Sequence, residues 1–355
     1  MEIKYGIIGY ASNNIGDEIQ TLAQMRFLPK VDYVCVRERI KSFKPGKATE
    51  QVKLIMNAWY MQNPRFFPPP NNIIPLPISM HLDSTIIENG FLEDVKIREW
   101  MMKYGPIGTR DLFTLKKLQQ AGIPSYFSGC LTLTLLPNEK FRARKVKKYV
   151  LAMNLSDKEL VALKSRTVLP VYGLGKKMVG LSFQNRLRLA KCMLSIYHNA
   201  DVIVTKNLHT ALPALSFGVP TLLIPSSADG CFDNRFSGLY HLCNNMTSEE
   251  FIHNSKPYDI DNPPPNPEMF REIARELISV CHSFTGFDSL KSPIDDDFDP
   301  IFELIDLLQF SEKQIQRNLY YANTEQLFRA LTDKKYLLNN KYRMIDDNQI
   351  TLIEK

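Results

Sequence analysis

The histidine at position 209 stands where an open α/β sheet places its ligands. Residues 201–205 (DVIVT) predict a strand, and residues 210–217 (TALPALSF) predict the helix that follows it. Free backbone N–H groups and the helix dipole favour anions at this point. Because histidine titrates near neutral pH, His209 could act as an acid beside a bound anion, and a structural role is the alternative. Thr210 is the expected N-cap, with Pro213 in the first turn.

A second predicted helix, over residues 109–121, begins with an arginine in the run 105–111 (GPIGTRD). Thr109 is the expected N-cap of this helix. A cation at a helix N-terminus opposes the helix dipole, so Arg110 is expected to face an anionic group. A bound anion and an ion pair with Asp111 are the two alternatives.

The loop after the first predicted strand carries a third group of polar residues, in the run 9–18 (GYASNNIGDE). It is neither a Gly-x-Gly-x-x-Gly turn nor a P-loop, so it gives no support to dinucleotide or nucleoside triphosphate binding. Asn13, Asn14 and Asp17 are candidates to bind hydroxyl groups of a ligand. Asp17 and Glu18 also suit a helix N-terminus by charge alone, which is the structural alternative.

The elements that carry these residues follow a β-α-β rhythm that begins at residue 5 and restarts at residue 149. This rhythm predicts an α/β fold with two Rossmann-like domains facing each other across a cleft. The expected domains are residues 1–145 and 146–285, and the basic run 141–148 marks the boundary. Residues 286–355 are expected to form a mostly helical C-terminal region, with helical patterning over 302–331.

Length and composition limit the class of protein. The 355 residues suggest two domains, and 44% hydrophobic with 23% charged residues exclude a disordered chain. A net charge of +6 suits small anionic ligands and is too diffuse for nucleic-acid binding. The acidic run 295–297 is interpreted as a solvated loop, so no metal site is expected.

The cysteines and the N-terminus indicate the compartment. Six cysteines are widely spaced without a metal-binding pattern, which is typical of a reducing environment. No signal peptide and no run of 18 apolar residues are present. A cytoplasmic protein with at most peripheral contact with the inner face of a membrane is expected.

Four segments, in this order, resemble the polysaccharide pyruvyl transferase family: residues 14–20 (NIGDEIQ), 108–111 with 121–123 (GTRD, AGI), 128–135 (SGCLTLTL) and 208–220 (LHTALPALSFGVP). The resemblance covers roughly residues 5 to 240 and implies a GT-B-like fold. It also implies transfer of the enolpyruvyl group of phosphoenolpyruvate to a sugar, giving a cyclic pyruvate ketal without a cofactor. In this family the positions of His209 and Arg110 are the general acid and a donor-binding residue.

The sequence departs from the family at one position of this site. The family carries arginine two residues before the histidine, where this chain has Asn207. Lys206, which directly precedes Asn207, and Arg235 are the two candidates to replace the missing charge. Arg235 is the favoured one, because its loop follows the next strand and should emerge at the same sheet edge. The expected donor site consists of Arg110, Lys206, Asn207, Leu208 and Arg235.

Two other functions are also compatible with the sequence. A glycosyltransferase that uses a nucleotide sugar shares the two-domain architecture, although the sequence shows no acidic ribose-binding signature. A non-catalytic glycan-binding protein on the same fold is compatible with the loss of the arginine. The acceptor itself is expected to be a glycan, either free or linked to a lipid.

Overall fold

The computed structural model describes most of the chain up to residue 292 and two short segments beyond it. The described residues are 2–12, 14–60, 64–136, 148–174, 181–225, 227–228, 231–232, 234–292, 342–346 and 349–352. The expected domain boundary, the basic residues 141–147 and the helical pattern over 302–331 fall outside these ranges.

The described strands are β1 (Glu2–Gly9), β2 (Tyr33–Val36), β3 (Glu50–Ile55), β4 (Trp59–Tyr60), β5 (Ile73–Leu76), β6 (His81–Leu82), β7 (Ile107–Thr109), β8 (Ser125–Phe127), β9 (Val150–Met153), β10 (Val171–Leu174), β11 (Val202–Thr205), β12 (Thr221–Leu223), β13 (Ser227–Ala228), β14 (Cys231–Phe232), β15 (Asn244–Asn245), β16 (Tyr342–Asp346) and β17 (Gln349–Leu352). The described α-helices are α1 (Ile15–Met25), α2 (Ser84–Glu88), α3 (Val95–Tyr104), α4 (Leu112–Gln120), α5 (Asp157–Lys164), α6 (Phe183–Asn199), α7 (Leu208–Ser216), α8 (Ser248–His253) and α9 (Phe270–Thr285).

The N-terminal domain is built on a parallel sheet in the order β2-β1-β3-β5. The second half of β1 is completely buried, as expected of an apolar strand covered on both faces. The strand order reverses between β1 and β3, so the loops that leave these strands diverge and open a crevice between them. Ligands of open α/β sheets bind at such a reversal.

The C-terminal domain repeats this plan with a parallel sheet in the order β10-β9-β11-β12-β15. Its strand order reverses between β9 and β11, which end at Met153 and Thr205. The segment that carries the candidate histidine leaves the sheet at this reversal. The two parallel sheets confirm the predicted α/β fold with two Rossmann-like domains.

Helix α1 is buried on all sides. Residues 15–24 are all buried because α1 packs between its own sheet and helix α6 of the other domain. Several of its polar residues are hydrogen-bonded inside the protein. The hydroxyl of Thr21 donates to the carbonyl of Ile8 at 2.7 Å, and the backbone N–H of Ile8 donates to Gln24 Oε1 at 2.9 Å.

Helix α9 follows the second sheet in sequence but packs against the N-terminal domain. Lys53 Nζ donates to the carbonyl of Phe284 at 2.7 Å, and α9 contacts the short 3₁₀ helix Leu131–Thr134. One hydrophobic cluster includes Ile7 of the first sheet, Leu151 of the second and Leu277 of α9. The two domains therefore share a core.

Candidate active site

A cavity lies where the carboxyl ends of the two sheets face each other. Both domains contribute to its lining, and we call it the interdomain cavity. Its described lining residues are Asn14, Ile15, Gly16, Trp59, Arg110, Tyr197, Lys206, Asn207, Leu208, His209, Thr210, Arg235 and Phe236. The cavity therefore brings together seven residues that the sequence singled out: Asn14, Arg110, Lys206, Asn207, Leu208, His209 and Arg235.

His209 is the second residue of α7, two positions after the N-cap Asn207. Its backbone is not helical (φ −80°, ψ 17°), and Pro213 explains the distortion. Pro213 has no N–H to donate to the carbonyl of His209, four residues earlier, and its ring crowds that carbonyl. The sequence expectations for Thr210 and Pro213 were wrong, because α7 begins at Leu208: Thr210 lies inside the helix and Pro213 in its second turn.

The half-buried ring of His209 packs directly against the first turn of α1 in the other domain. A Cβ atom placed on Gly16 would lie 2.8 Å from Nδ1 and 3.1 Å from Cβ of His209. Real Cβ contacts are not that short, so only glycine permits this approach. The glycine of the 14–20 segment thus sets the position of the histidine across the domain interface.

Replacement of Gly16 by alanine is expected to displace the His209 ring and lower turnover by about 10²-fold, because small misplacements of catalytic groups have effects of that size. Thermal unfolding of this variant should change much less than turnover does. Gly46→Ala, at an exposed glycine outside the cavity, is the matched control. Normal turnover in Gly16→Ala would show that this contact does not position the ring.

Arg110 follows β7 and is completely buried, with 1% of its surface exposed. Its Nε lies 3.7 Å from Oδ2 of Asp111, and that same oxygen lies 2.5 Å from Nδ1 of His81. Burial, with the positive charge of Arg110, lowers the pKa of His81. A neutral His81 therefore donates its Nδ1–H to the Asp111 carboxylate. Asp111 also caps α4 through the N–H of Thr114, so the expectation of an N-cap at Thr109 was wrong.

The structure shows the ion-pair alternative for Arg110, and binding of an anion by this residue stays a prediction. It pairs with Asp111, and it also lines the interdomain cavity. A carboxylate that is shared with His81 and the α4 N-terminus leaves Arg110 only partly neutralised. The buried guanidinium lies at the wall of the cavity, where its planar fork could bind an anion.

The two candidates for the missing charge differ in their partners. Lys206 Nζ lies 2.9 Å from Oε1 of Glu159, a fully buried carboxylate that also accepts a hydrogen bond from Ser248. The guanidinium of Arg235 instead lies over the ring of Trp59, 5.0 Å from its centroid. Glu159 neutralises the charge of Lys206, and the contacts of Arg235 include an aromatic ring that also lines the cavity.

The candidate hydroxyl-binding residues are separated by the structure. Asn14 lines the cavity and caps α1, accepting from the N–H of Gly16 at 3.3 Å. Asn13 lies outside the described residues. Asp17 does not line the cavity; it is buried, bonded to Ser12 and 3.9 Å from Arg37. Burial raises the pKa of Asp17, against the opposing effect of Arg37.

Glu18 links the two domains, a role that the sequence did not reveal. It is fully buried and lies 3.1 Å from Nε of Arg186 on α6. Arg186 also donates from Nη1 to the carbonyl of Ser12 at 2.7 Å, so one side chain holds the loop before α1. Burial raises the pKa of Glu18 from an ordinary 4.5 to about 7, although Arg186 opposes the shift.

The raised pKa of Glu18 predicts a loss of stability as the pH rises. The folded state holds this proton more tightly than the unfolded state, so its contribution is complete below pH 4.5 and lost above about pH 7. Glu18→Gln, which cannot ionise, should gain about 3 kcal/mol relative to the natural protein between these limits. Denaturant unfolding at several pH values measures the difference. Exposed Glu88→Gln is the control, and a pH-independent difference for Glu18→Gln would contradict the assignment.

Trp59 and Tyr197 line the cavity but were not predicted as site residues. Trp59 follows β3, and its Nε1 donates to Oδ2 of Asp83 at 3.2 Å, which fixes the ring. Its position just beyond the carboxyl end of a central strand is a signal that could have identified it. Tyr197 lies near the end of α6, and its hydroxyl accepts from Thr210 at 3.2 Å. Nothing in the sequence links that helix end to the cavity.

The chemistry of the cavity is that of an anion site. Among its described lining residues are Arg110, Lys206 and Arg235, and none carries a carboxylate. Within the described ranges, no group of three or more His, Cys, Asp or Glu side chains could hold a metal ion. The same part of the chain contains no helix long and apolar enough to cross a membrane.

The fold and the cavity together define a two-domain α/β protein with a positively charged cavity between its domains. The family model described as polysaccharide pyruvyl transferase matches residues 14–227. The chain therefore belongs to this family and is a transferase, which confirms the resemblance seen in the sequence.

Two solved structures are also similar to the chain. One is the UDP-GlcNAc 2-epimerase of Methanocaldococcus jannaschii in complex with UDP-GlcNAc and UDP, at 12% identity and a TM-score of 0.36, over 79% of this chain and 99% of that one. The other is the S. aureus MnaA–UDP structure, at 11% identity and a TM-score of 0.37, over 88% of this chain and 97% of that one. No curated protein matches the chain.

Proposed function

We propose that this protein transfers the enolpyruvyl group of phosphoenolpyruvate to a sugar and forms a cyclic pyruvate ketal, with His209 as the general acid. The observation that carries the proposal is the composition of the interdomain cavity. It combines one histidine with the guanidinium groups of Arg110 and Arg235 and, among its described residues, no carboxylate. Such a lining suits a small ligand with several negative charges.

Phosphoenolpyruvate carries a carboxylate and a phosphate on the same carbon, so it needs more than one cation. Arg110 is buried, and its fork can bind either group in a bidentate manner. Arg235 comes from the opposite domain and supplies the second charge in place of the family arginine. Lys206 contributes less because Glu159 neutralises it. Leu208 contributes to the apolar part of the wall.

The reaction requires an acid because the central carbon of the donor becomes electrophilic only when the methylene carbon gains a proton. His209 supplies that proton, and the first acceptor hydroxyl attacks the central carbon and releases its own proton. Phosphate then leaves with the bridging oxygen, and the second hydroxyl attacks the same carbon. The proton of the first hydroxyl returns to His209, which has given its own to the methyl group, and the proton of the second hydroxyl leaves with the phosphate, so the sum is a ketal and inorganic phosphate.

The acceptor is a sugar of a polysaccharide or of its lipid-linked precursor. Asn14 and the ring of Trp59 lie on the wall of the cavity that belongs to the N-terminal domain, across from the His209 segment. An amide and an aromatic ring are groups that bind hydroxyls and the apolar face of a sugar. Because phosphoenolpyruvate is a cytoplasmic metabolite, we place the reaction in the cytoplasm or at the inner face of the membrane.

The proposal is tested by supplying the protein separately with phosphoenolpyruvate and with nucleotide sugars, against a panel of glycan acceptors. Mass spectrometry of the glycans and an assay for inorganic phosphate follow the products. We expect ketal-linked pyruvate and one phosphate per product with phosphoenolpyruvate alone. Hexose addition from a nucleotide sugar would instead identify a glycosyltransferase. Glycan binding without either product would identify a binding protein.

A further inference from the structure

The side chain of Asn207 lines the interdomain cavity in an unusual state. It is only 8% exposed, and within the described part of the chain neither its Oδ1 nor its Nδ2 has a hydrogen-bond partner. Buried amides are normally bonded, because an unpaired buried donor or acceptor is costly. Because neither the oxygen nor the nitrogen of the amide has a hydrogen-bond partner, exchanging the two atoms would leave both of them unpaired.

The side chain of Asn207 does not accept from the N–H groups at the start of α7, although it lies next to them in the sequence. It occupies the N-cap position of α7, where asparagine normally accepts from the N–H groups of the first turn, yet it makes no capping bond. Its backbone N–H donates to Oγ1 of Thr205 at 2.9 Å. The fold thus holds the backbone firmly and leaves the amide for a group that enters the cavity.

The chemistry of the amide identifies the kind of group. Its Nδ2 donates and its Oδ1 accepts, so a complete partner must both accept and donate. Ionised phosphoenolpyruvate has only acceptor oxygens and cannot satisfy Oδ1. A sugar hydroxyl satisfies both ends. An arginine at this position has only donors and would suit the anion instead.

We propose that Asn207 binds a hydroxyl of the sugar acceptor beside His209, and that this residue determines acceptor specificity. The inference rests on the proposed pyruvyl transfer, and it moves Asn207 from the donor site, where the sequence placed it, to the acceptor site. Charge at the donor then comes from Arg110 and Arg235, which line the same cavity.

The test compares Asn207→Leu, which keeps the size of the side chain and removes its hydrogen bonds, with Asn207→Ser, which keeps a donor and an acceptor. Asn199→Leu is the control, because Asn199 is also 8% exposed but does not line the cavity. Circular dichroism and thermal unfolding establish that each variant is folded. Calorimetry gives the Kd for phosphoenolpyruvate, and steady-state kinetics give the KM for the glycan found in the product assay. Saturation-transfer NMR with free hexoses, in the absence of phosphoenolpyruvate, measures sugar binding without turnover.

We expect Asn207→Leu to raise the acceptor KM roughly 10- to 100-fold, the usual effect of removing one buried hydrogen-bonding partner. Asn207→Ser should lie between this variant and the natural protein, and the phosphoenolpyruvate Kd should change less than about twofold. The NMR signal from the hexoses should fall in Asn207→Leu and persist in Asn199→Leu.

Other outcomes overturn the inference. Weaker phosphoenolpyruvate binding with an unchanged acceptor KM would return Asn207 to the donor site. Unchanged binding of both ligands, or hexose signals that do not depend on Asn207, would show that the amide contacts no acceptor. Failure of the natural protein to bind phosphoenolpyruvate is a separate result, because it contradicts the proposed function itself.

Discussion

Replacement of His209 by alanine is expected to lower the rate of transfer by about 10²- to 10⁴-fold, the usual contribution of a general acid. The ring lies in the interdomain cavity, on the first turn of α7 just after the end of β11. It is half-buried and belongs to a ligand site, so its loss should change the free energy of unfolding by about 1 kcal/mol or less.

The measurement is the single-turnover rate with saturating phosphoenolpyruvate, together with the melting temperature of each protein. His253→Ala is the matched control, because His253 is exposed at the end of α8 and does not line the cavity. A large fall in melting temperature for His209→Ala, or a transfer rate equal to that of the control, would assign His209 a structural role.

Replacement of Arg110 by alanine is expected to weaken phosphoenolpyruvate binding between about 30-fold and a few thousand-fold. This range corresponds to a loss of about 2–5 kcal/mol for a desolvated charge-assisted pair. Arg110→Lys keeps the charge but loses the planar fork, so it should recover only part of the affinity. The acceptor KM should change little in either variant.

Titration calorimetry with phosphoenolpyruvate measures this effect, with Lys116→Ala on the exposed face of α4 as the control. Because Arg110 also faces the buried Asp111, the alanine variant is checked for folding, and the lysine variant provides the comparison if folding fails. Affinity equal to that of the control in both variants would limit Arg110 to its ion pair with Asp111.

Much of the site could be predicted because it depends on short-range sequence. The segment 201–217 contains a strand, a turn and a helix, and the end of such a strand lies at the ligand-binding edge whatever the rest of the fold does. The same reasoning led to Arg110 and Asn14, which also follow strands or precede helices. These positions line the interdomain cavity because both sheets reverse their strand order beside it.

The features that the sequence could not reveal depend on how the two domains pack. The approach of Gly16 to His209 and the pair between Glu18 and Arg186 join residues that lie far apart in the chain. The same packing buries α1 on all sides. Asp17 therefore contacts buried side chains and does not line the cavity. Hydrophobic periodicity indicates which face of a helix packs on its own sheet. It does not indicate a second face that is buried against another domain.

The role of His209 as the acid of the transfer is tested most directly by running the reaction in deuterium oxide and examining the methyl group of the product by NMR. If a protein acid protonates the methylene carbon of phosphoenolpyruvate, the acid first exchanges with solvent, and each ketal methyl group acquires one deuterium. We expect this label in the product of the natural protein and of His253→Ala, with product formation lost in His209→Ala. A product without deuterium, or equal labelled product from His209→Ala, would contradict the assignment of His209 as the acid of a pyruvyl transferase.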